Sequence, residues 1–316
     1  MPTTYFLTGA TGFLGRSVVP RLRRDGHTLR ALVREAARTP AGAEGVTGDL
    51  ERTADWAGVL KGCDTVVHLA ARVHVMHEGS ADPLRRFREV NRDATVRLAE
   101  AAASAGVRRI VFVSSIKVNG EATQGRPFCA DDAPAPVDPY GISKREAEEG
   151  LREVSRRTGL EVVVIRPPLV HGPGVGGNLR RLLGLIERGI PLPFGAISNR
   201  RSMVGVENLA DLIAVASVSP KAAGGTFLAG DDESVSTPEM VRLLGTGLGR
   251  APRLFPVPVA LLRLSGALTG LGGEIARLTG SLEVDVSETR ARLGWTPPRT
   301  LAEGLTQMAQ AWKSGR

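Results

Sequence analysis

Aromatic side chains are scarce: Phe, Trp and Tyr make up 4% of the 316 residues. So few ring faces cannot build the stacking platform that single-stranded nucleic acid requires. Cysteine is almost absent, with only Cys63 and Cys129. Two distant thiols form neither a metal-ligand spacing nor a disulfide framework, so no metal is expected and a reducing, cytoplasmic location is. No run of five or more basic residues occurs, although the formal net charge is +8. A charge spread in this way suits attraction of a phosphate-bearing small molecule and gives no nucleic-acid partner. Long apolar runs are also missing. The most lipid-like stretch, residues 257–273, is interrupted by Arg263 and by glycines and is shorter than a membrane span needs. No membrane insertion is expected, and packing of an amphipathic helix is the role expected there. The N-terminus enters a strand pattern almost at once, which leaves no room for a signal peptide.

What is present is an alternation of short apolar runs with longer helical patterns, as in an α/β fold whose parallel sheet carries helices on both faces. Strands are expected at Tyr5–Thr8, Thr28–Val33, Val46–Gly48, Thr65–Leu69, Arg109–Ser114 and Glu161–Arg166. Helices are expected at Phe13–Asp25, Pro83–Ala105 as one long unit, and Asp138–Thr158. Beyond residue 170, Gly and Pro punctuate the chain at Gly172-Pro-Gly, Pro191-Leu-Pro193 and Pro297-Pro298. Helical patterns continue at Leu179–Glu187, Val206–Val218, Pro238–Leu248 and Leu301–Trp312, which reads as a smaller mixed lobe.

Two clusters of residues carry chemistry. The loop Gly9-Ala-Thr11-Gly12-Phe13-Leu14-Gly15 joins the first strand to the first helix. Glycines there let backbone N–H groups approach a pyrophosphate at a helix N-terminus. In Tyr140-Gly-Ile-Ser-Lys144 one helical turn separates a phenol from an ammonium, so both can face one cleft. A phenol has a reference pKa of about 10, and a neighbouring cation is expected to bring it down toward the working range. Ser115, just after a buried strand, can orient a substrate oxygen against that phenol. Such a set moves a proton while a nicotinamide moves a hydride.

These residues resemble the extended short-chain dehydrogenase/reductase family, and more narrowly its nucleotide-sugar epimerases and reductases of the UDP-glucose 4-epimerase type. The resemblance extends over nearly the whole chain. It rests on Thr8–Gly15, Gly48-Asp-Leu50, His68-Leu-Ala-Ala71, Asn91, Ser114–Gly120, Tyr140–Lys144, Arg166–Pro173 and Leu293-Gly-Trp295. It implies a Rossmann-type doubly wound sheet over residues 1–170, which holds the dinucleotide. A substrate lobe over 171–316 follows, with a soft boundary across which the chain can return. Ser115, Tyr140 and Lys144 are then the catalytic set. Asp49 and Leu50 flank the adenine. Leu69, Ala70, Ala71, Asn91 and Pro167 complete the cofactor site, and Lys144 also donates to the nicotinamide ribose. Arg201 and Asn178 face the nucleotide diphosphate, with Arg200 competing for the phosphate. Lys117 lies on the substrate side, and a homodimer is expected.

Departures from the family pattern narrow this expectation. Val33 stands where an NAD-type member carries a carboxylate, and Arg34 follows it. A guanidinium pairs bidentately with a 2′-phosphate, so NADP(H) is favoured, with NAD(H) as the alternative. Ile116-Lys117 replaces the Asp-Glu pair of the dehydratases, and a lysine cannot serve as their carboxylic acid. Leu169 replaces a frequent Asn, and Val73, between Arg72 and His74, a frequent Lys. His68, His74 and His171 are further acid–base candidates, with a satisfied strand-end residue the favoured reading of His68. The expected activity is reduction of a UDP-4-keto-sugar at C4. The alternatives are a UDP-hexose 4-epimerase with tightly bound NAD, a reductase of a non-sugar ketone, and a non-catalytic dinucleotide-binding protein.

Overall fold

A computed structural model describes residues 2–53, 55–73 and 82–315; His74 lies outside them. In chain order the elements begin β1 (Thr4–Thr8), α1 (Gly15–Arg24), β2 (Thr28–Val33), β3 (Glu44–Thr47), α2 (Trp56–Leu60) and β4 (Thr65–His68). Then come α3 (Pro83–Phe87), a π-helical turn (Arg88–Asp93), α4 (Ala94–Ser104), β5 (Arg109–Val113), α5 (Pro139–Thr158) and β6 (Glu161–Arg166). The remainder is β7 (Leu169–His171), α6 (Gly177–Glu187), β8 (Arg201–Gly205), α7 (Val206–Val218), β9 (Thr226–Leu228), β10 (Ser234–Val235) and α8 (Thr237–Leu248). Last are α9 (Val259–Thr269), α10 (Gly272–Thr279), α11 (Ser287–Leu293) and α12 (Leu301–Ser314).

Seven parallel strands form the main sheet in the order β3-β2-β1-β4-β5-β6-β9. This is the Rossmann-type doubly wound α/β fold. Central strands such as Val162–Ile165 are apolar at successive positions because both faces are covered. On one face Leu7, Val111 and Ile165 meet Val18 and Leu22 of α1 and Leu209 and Ile213 of α7. On the other, Phe6, Ile110 and Val164 meet Trp56, Leu98 and Leu151. After β6 the chain leaves this sheet, and it re-enters with β9, where Thr226 lies opposite Val164. A small mixed sheet, β10-β8-β7, and a third core of Leu183, Ile186, Val241, Leu244, Leu305 and Met308 build the second lobe.

Several boundaries differ from expectation. The first helix starts at Gly15, because residues 12–14 are still in the turn of the glycine loop. The third strand covers 44–47, set by its register against Arg30–Val33. The single helix expected over 83–105 is three pieces, with the π turn between α3 and α4. Within that turn Asn91 is buried, and its amide is committed sideways rather than along the helix. It accepts from Arg72 N at 2.8 Å, and its Nδ2 donates to Arg72 O and to Ser143 Oγ, each at 3.0 Å. The stretch at 257–273 folds into α9 and the start of α10, two helices divided by Gly270 at φ +75°.

Candidate active site

The carboxyl end of β5 and the first turns of α5 meet here. Pro139 begins α5 after Asp138, whose Oδ1 accepts from Gly141 N at 2.6 Å. That cap fixes where the helix starts, and therefore where Tyr140 points. Ser115 follows β5 and caps a short 3₁₀ turn, its Oγ accepting from Lys117 N at 3.3 Å. Its hydroxyl acts on the Tyr140 phenol in the direction that favours the phenolate. Phe87, at the end of α3, packs edge-on against the Tyr140 ring, with centroids 6.1 Å apart. Lys144, one turn along α5, donates from Nζ to Val113 O at 2.8 Å and stands 4.4 Å from the Phe112 ring centroid. Ser115, Tyr140 and Lys144 are thus brought together.

Their electrostatics depart from the expected activation. Burial pushes the Tyr140 phenol up to about 12, opposed by the Ser115 hydroxyl and reinforced by Asp138. Burial pulls the Lys144 ammonium down to about 7, with Glu148 acting the other way. Desolvation penalises both charged forms, and Lys144 spends its proton on a backbone carbonyl. The phenol is therefore held protonated, and the lysine sits near its midpoint at neutral pH.

Beneath this set lies a buried ion pair whose role the sequence did not reveal. Glu148 accepts from Arg166 Nε at 2.9 Å and NH2 at 2.6 Å, and from Ser114 Oγ at 2.6 Å. Arg166 also donates to Asn119 Oδ1 at 3.0 Å. The one available signal was the spacing of Lys144 and Glu148, four residues apart on one helix.

At the glycine loop, Gly9 has φ +72°, and a Cβ there would lie 2.7 Å from Ala70 N. A Cβ on Gly15 would lie 2.4 Å from the carbonyl oxygens of Gly9 and Ala10. These two glycines draw the loop against Leu69–Ala71 and against α1. Thr11 and Gly12 remain exposed, Phe13 and Leu14 half-buried. The first turn of α1 has no side-chain cap and no acidic residue. The loop glycines and the positive end of the helix dipole, with no acid beside them, suit a pyrophosphate. A cleft of about 600 Å³ adjoins them, lined by Ala10, Thr11, Arg16, Arg38 and Pro40 among others. The residues present fit a nicotinamide dinucleotide. Arg34 is 80% exposed and pairs with Asp49 at 3.2 Å, so two expected adenosine-side residues contact each other. Leu50 is half-buried against the sheet, and Pro167 O accepts from Ile116 N at 2.9 Å.

The substrate-side candidates are more dispersed. Lys117 is ion-paired with Asp138 and with Glu121, the latter at 2.8 Å. Arg201 opens β8; its guanidinium donates to Arg277 O at 2.6 Å and Gly280 O at 3.1 Å. Burial lowers its pKa from the ordinary value, Glu121 raises it, and Arg277 lowers it. Arg200 pairs with Glu283, and Asn178 is exposed in the first turn of α6. His68 bonds the Thr8 and Thr95 hydroxyls at 2.6 and 2.8 Å, and burial lowers its pKa to about 3. It is a neutral member of the core. His171 pairs with Asp231 at 2.9 Å in a buried node with Asn208 and the Gly205 amide, which contains none of the three catalytic candidates.

Comparison with known proteins identifies the family and the fold. The profile of the NAD dependent epimerase/dehydratase family matches residues 5–230. A UDP-glucose 4-epimerase of Vibrio cholerae is 46% identical over 315 residues, covering 99% of this chain and 96% of that protein. The structure of MoeE5 in complex with UDP-glucuronic acid and NAD superposes with a TM-score of 0.81 at 26% identity, covering 99% and 100% of the two chains. A UDP-glucose 4-epimerase of Thermotoga maritima shares the fold, with a TM-score of 0.80 at 22% identity and 99% coverage of each chain. The chain belongs to the NAD dependent epimerase/dehydratase family, within the extended short-chain dehydrogenases/reductases.

Proposed function

We propose that the protein is a UDP-hexose 4-epimerase. The observation that carries this reading is the Ser115–Tyr140–Lys144 set in a chain 46% identical, along 99% of its length, to a UDP-glucose 4-epimerase. A bound nicotinamide dinucleotide would supply hydride exchange at C4. Tyr140 exchanges the proton of the C4 oxygen, Ser115 holds that oxygen against the phenol, and a charged Lys144 favours the phenolate when the hydroxyl must be deprotonated. Because the phenol is protonated in this state, it is ready to donate to a 4-keto oxygen. The sugar nucleotide lies across the second lobe, with Arg201 and Asn178 toward the diphosphate and Lys117 near the reacting ring. Residues 1–170 hold the dinucleotide and 171–316 the substrate, in a cytoplasmic homodimer whose mass light scattering would give.

The test is turnover of UDP-glucose or UDP-N-acetylglucosamine without added cofactor. Conversion to the C4 epimer with no net change in nicotinamide absorbance supports the epimerase. A strict requirement for one NAD(P)H per UDP-4-keto-sugar reduced would replace it with the 4-ketoreductase.

That second reading is favoured by Arg34, which follows β2, with Arg16 and Arg38 lining the cleft beside the glycine loop. If the cofactor is NADP(H), Arg34→Ala weakens NADPH far more than NADH, by roughly ten- to a hundredfold for a lost charge-assisted pair. Equal weakening of both, measured by fluorescence titration, assigns Arg34 to its ion pair with Asp49 alone.

A further inference from the structure

Among the described residues, five of the ten large apolar side chains left exposed lie within residues 255–271: Phe255, Leu261, Leu264, Leu268 and Leu271. Helix α9 explains the concentration. Its inner side is Leu262 and Gly266, and a Cβ on Gly266 would lie 2.7 Å from Ile275 Cδ1, so α10 closes against it. At about 100° per residue, Ala260, Leu261, Leu264, Ala267 and Leu268 fall within an arc of about 120° on the opposite side. Leu264 is 57% and Leu268 80% exposed. The helix is amphipathic in reverse, with its wider apolar stripe in solvent.

The charge along this stretch is mostly positive. Between residues 250 and 279 stand Arg250, Arg253, Arg263 and Arg277 against a single acid, Glu274, which is paired with Arg181 at 3.4 Å. Arg263 lies on α9 itself, at the edge of the apolar arc.

We propose that the α9–α10 hairpin is a docking surface for an anionic lipid bilayer, with α9 lying in the interface plane and the arginines on the phosphates. A stripe one helix wide, rimmed by cations, matches the interfacial helices that bind membranes without crossing them. Two-fold packing of the same face on a second copy would bring like charges together, whereas a bilayer supplies the opposite sign. The hairpin also adjoins the substrate lobe, since the Arg277 and Gly280 carbonyls hold the Arg201 guanidinium. A membrane contact there leaves the dinucleotide half of the molecule in solution.

The experiment is sedimentation of the full chain with vesicles of mixed phosphatidylglycerol and phosphatidylcholine, and with pure phosphatidylcholine, at low and high salt. The wild type is expected to pellet with the anionic vesicles at low salt and to be released by high salt. Leu264→Gln/Leu268→Gln is expected to lower the partition coefficient at least about tenfold. Turnover of a soluble UDP-sugar and the circular dichroism spectrum should not change. Wild type that stays in the supernatant with anionic vesicles at low salt overturns the proposal, as does equal binding to neutral vesicles. A wild-type dimer that the double variant converts to monomer in light scattering would assign the face to a second copy instead.

Discussion

Tyr140→Phe is expected to reduce turnover of the UDP-sugar by roughly 10²–10⁴-fold, the range in which a positioned proton donor contributes. The ring remains packed edge-on against Phe87, so the change is confined to one oxygen. That oxygen is the atom on which Ser115 acts, and burial raises its pKa to about 12. Removing it leaves the C4 oxygen with the Ser115 hydroxyl and no acid. Ser115→Ala, which keeps the phenol but loses its orienting partner, is expected to be less damaging. Tyr140→Phe should keep the wild-type denaturation midpoint and bind the cofactor, whereas Ser115→Ala also loses the cap on Lys117 N and should cost about 0.5–2 kcal/mol of stability. Near-wild-type turnover by Tyr140→Phe, measured with each candidate UDP-hexose, removes this residue from the chemistry.

Glu148→Ala should cost about 3–5 kcal/mol of stability, the usual penalty for leaving one member of a buried ion pair without its partner. Arg166 is 2% exposed, and three of its bonds converge on Glu148 and Asn119. Without the carboxylate, a buried guanidinium faces the Ser114 hydroxyl and an empty volume. A double change to Glu148→Met/Arg166→Met, which removes both charges at similar volume, should recover much of the loss. Denaturant midpoints of the single and double variants decide the matter, and a single variant as stable as wild type would show the pair to be idle.

The same substitution acts on Lys144. Its folded value of about 7 lies below the ordinary 10.5 of the unfolded chain. Between those limits the unfolded chain binds the extra proton, so stability from this group is fully present above 10.5 and is lost as pH falls toward 7. Glu148 raises the folded value, so its removal should extend that loss below pH 7. Lys144→Met should flatten the slope across the whole window.

Much of this site was legible because its chemistry sits at strand ends and helix starts. Thr8–Gly15 and Tyr140–Lys144 are local in sequence, and an Asp-Pro cap before Tyr140 announces where α5 begins. The main sheet was readable for the same reason, since Val162–Ile165 and Val66–Val67 are too apolar to be anything but buried. What escaped was set by distance. β9 is only Thr-Phe-Leu and becomes a strand because β6 lies beside it. Glu148 reads as one of several acids on a charged helix, and only Arg166, eighteen residues later, makes it a buried ion. The direction of the Tyr140 and Lys144 shifts depends on how dry the cleft is, which residue spacing does not encode.

The π turn at Arg88–Asp93 has a consequence for how this chain can diverge. A π turn is an α-helix with one residue too many, so the segment between Pro83 and Ala94 works as a length gauge. Deleting one residue would restore the ordinary repeat with the flanking turns still in phase, so the loss would fall on the side chains of the turn itself. Asn91 would then leave both Arg72 and Ser143. Descendants of this sequence can exchange most surface residues of the helix, but its residue count is tied to the bonds that Asn91 makes to Arg72 and Ser143.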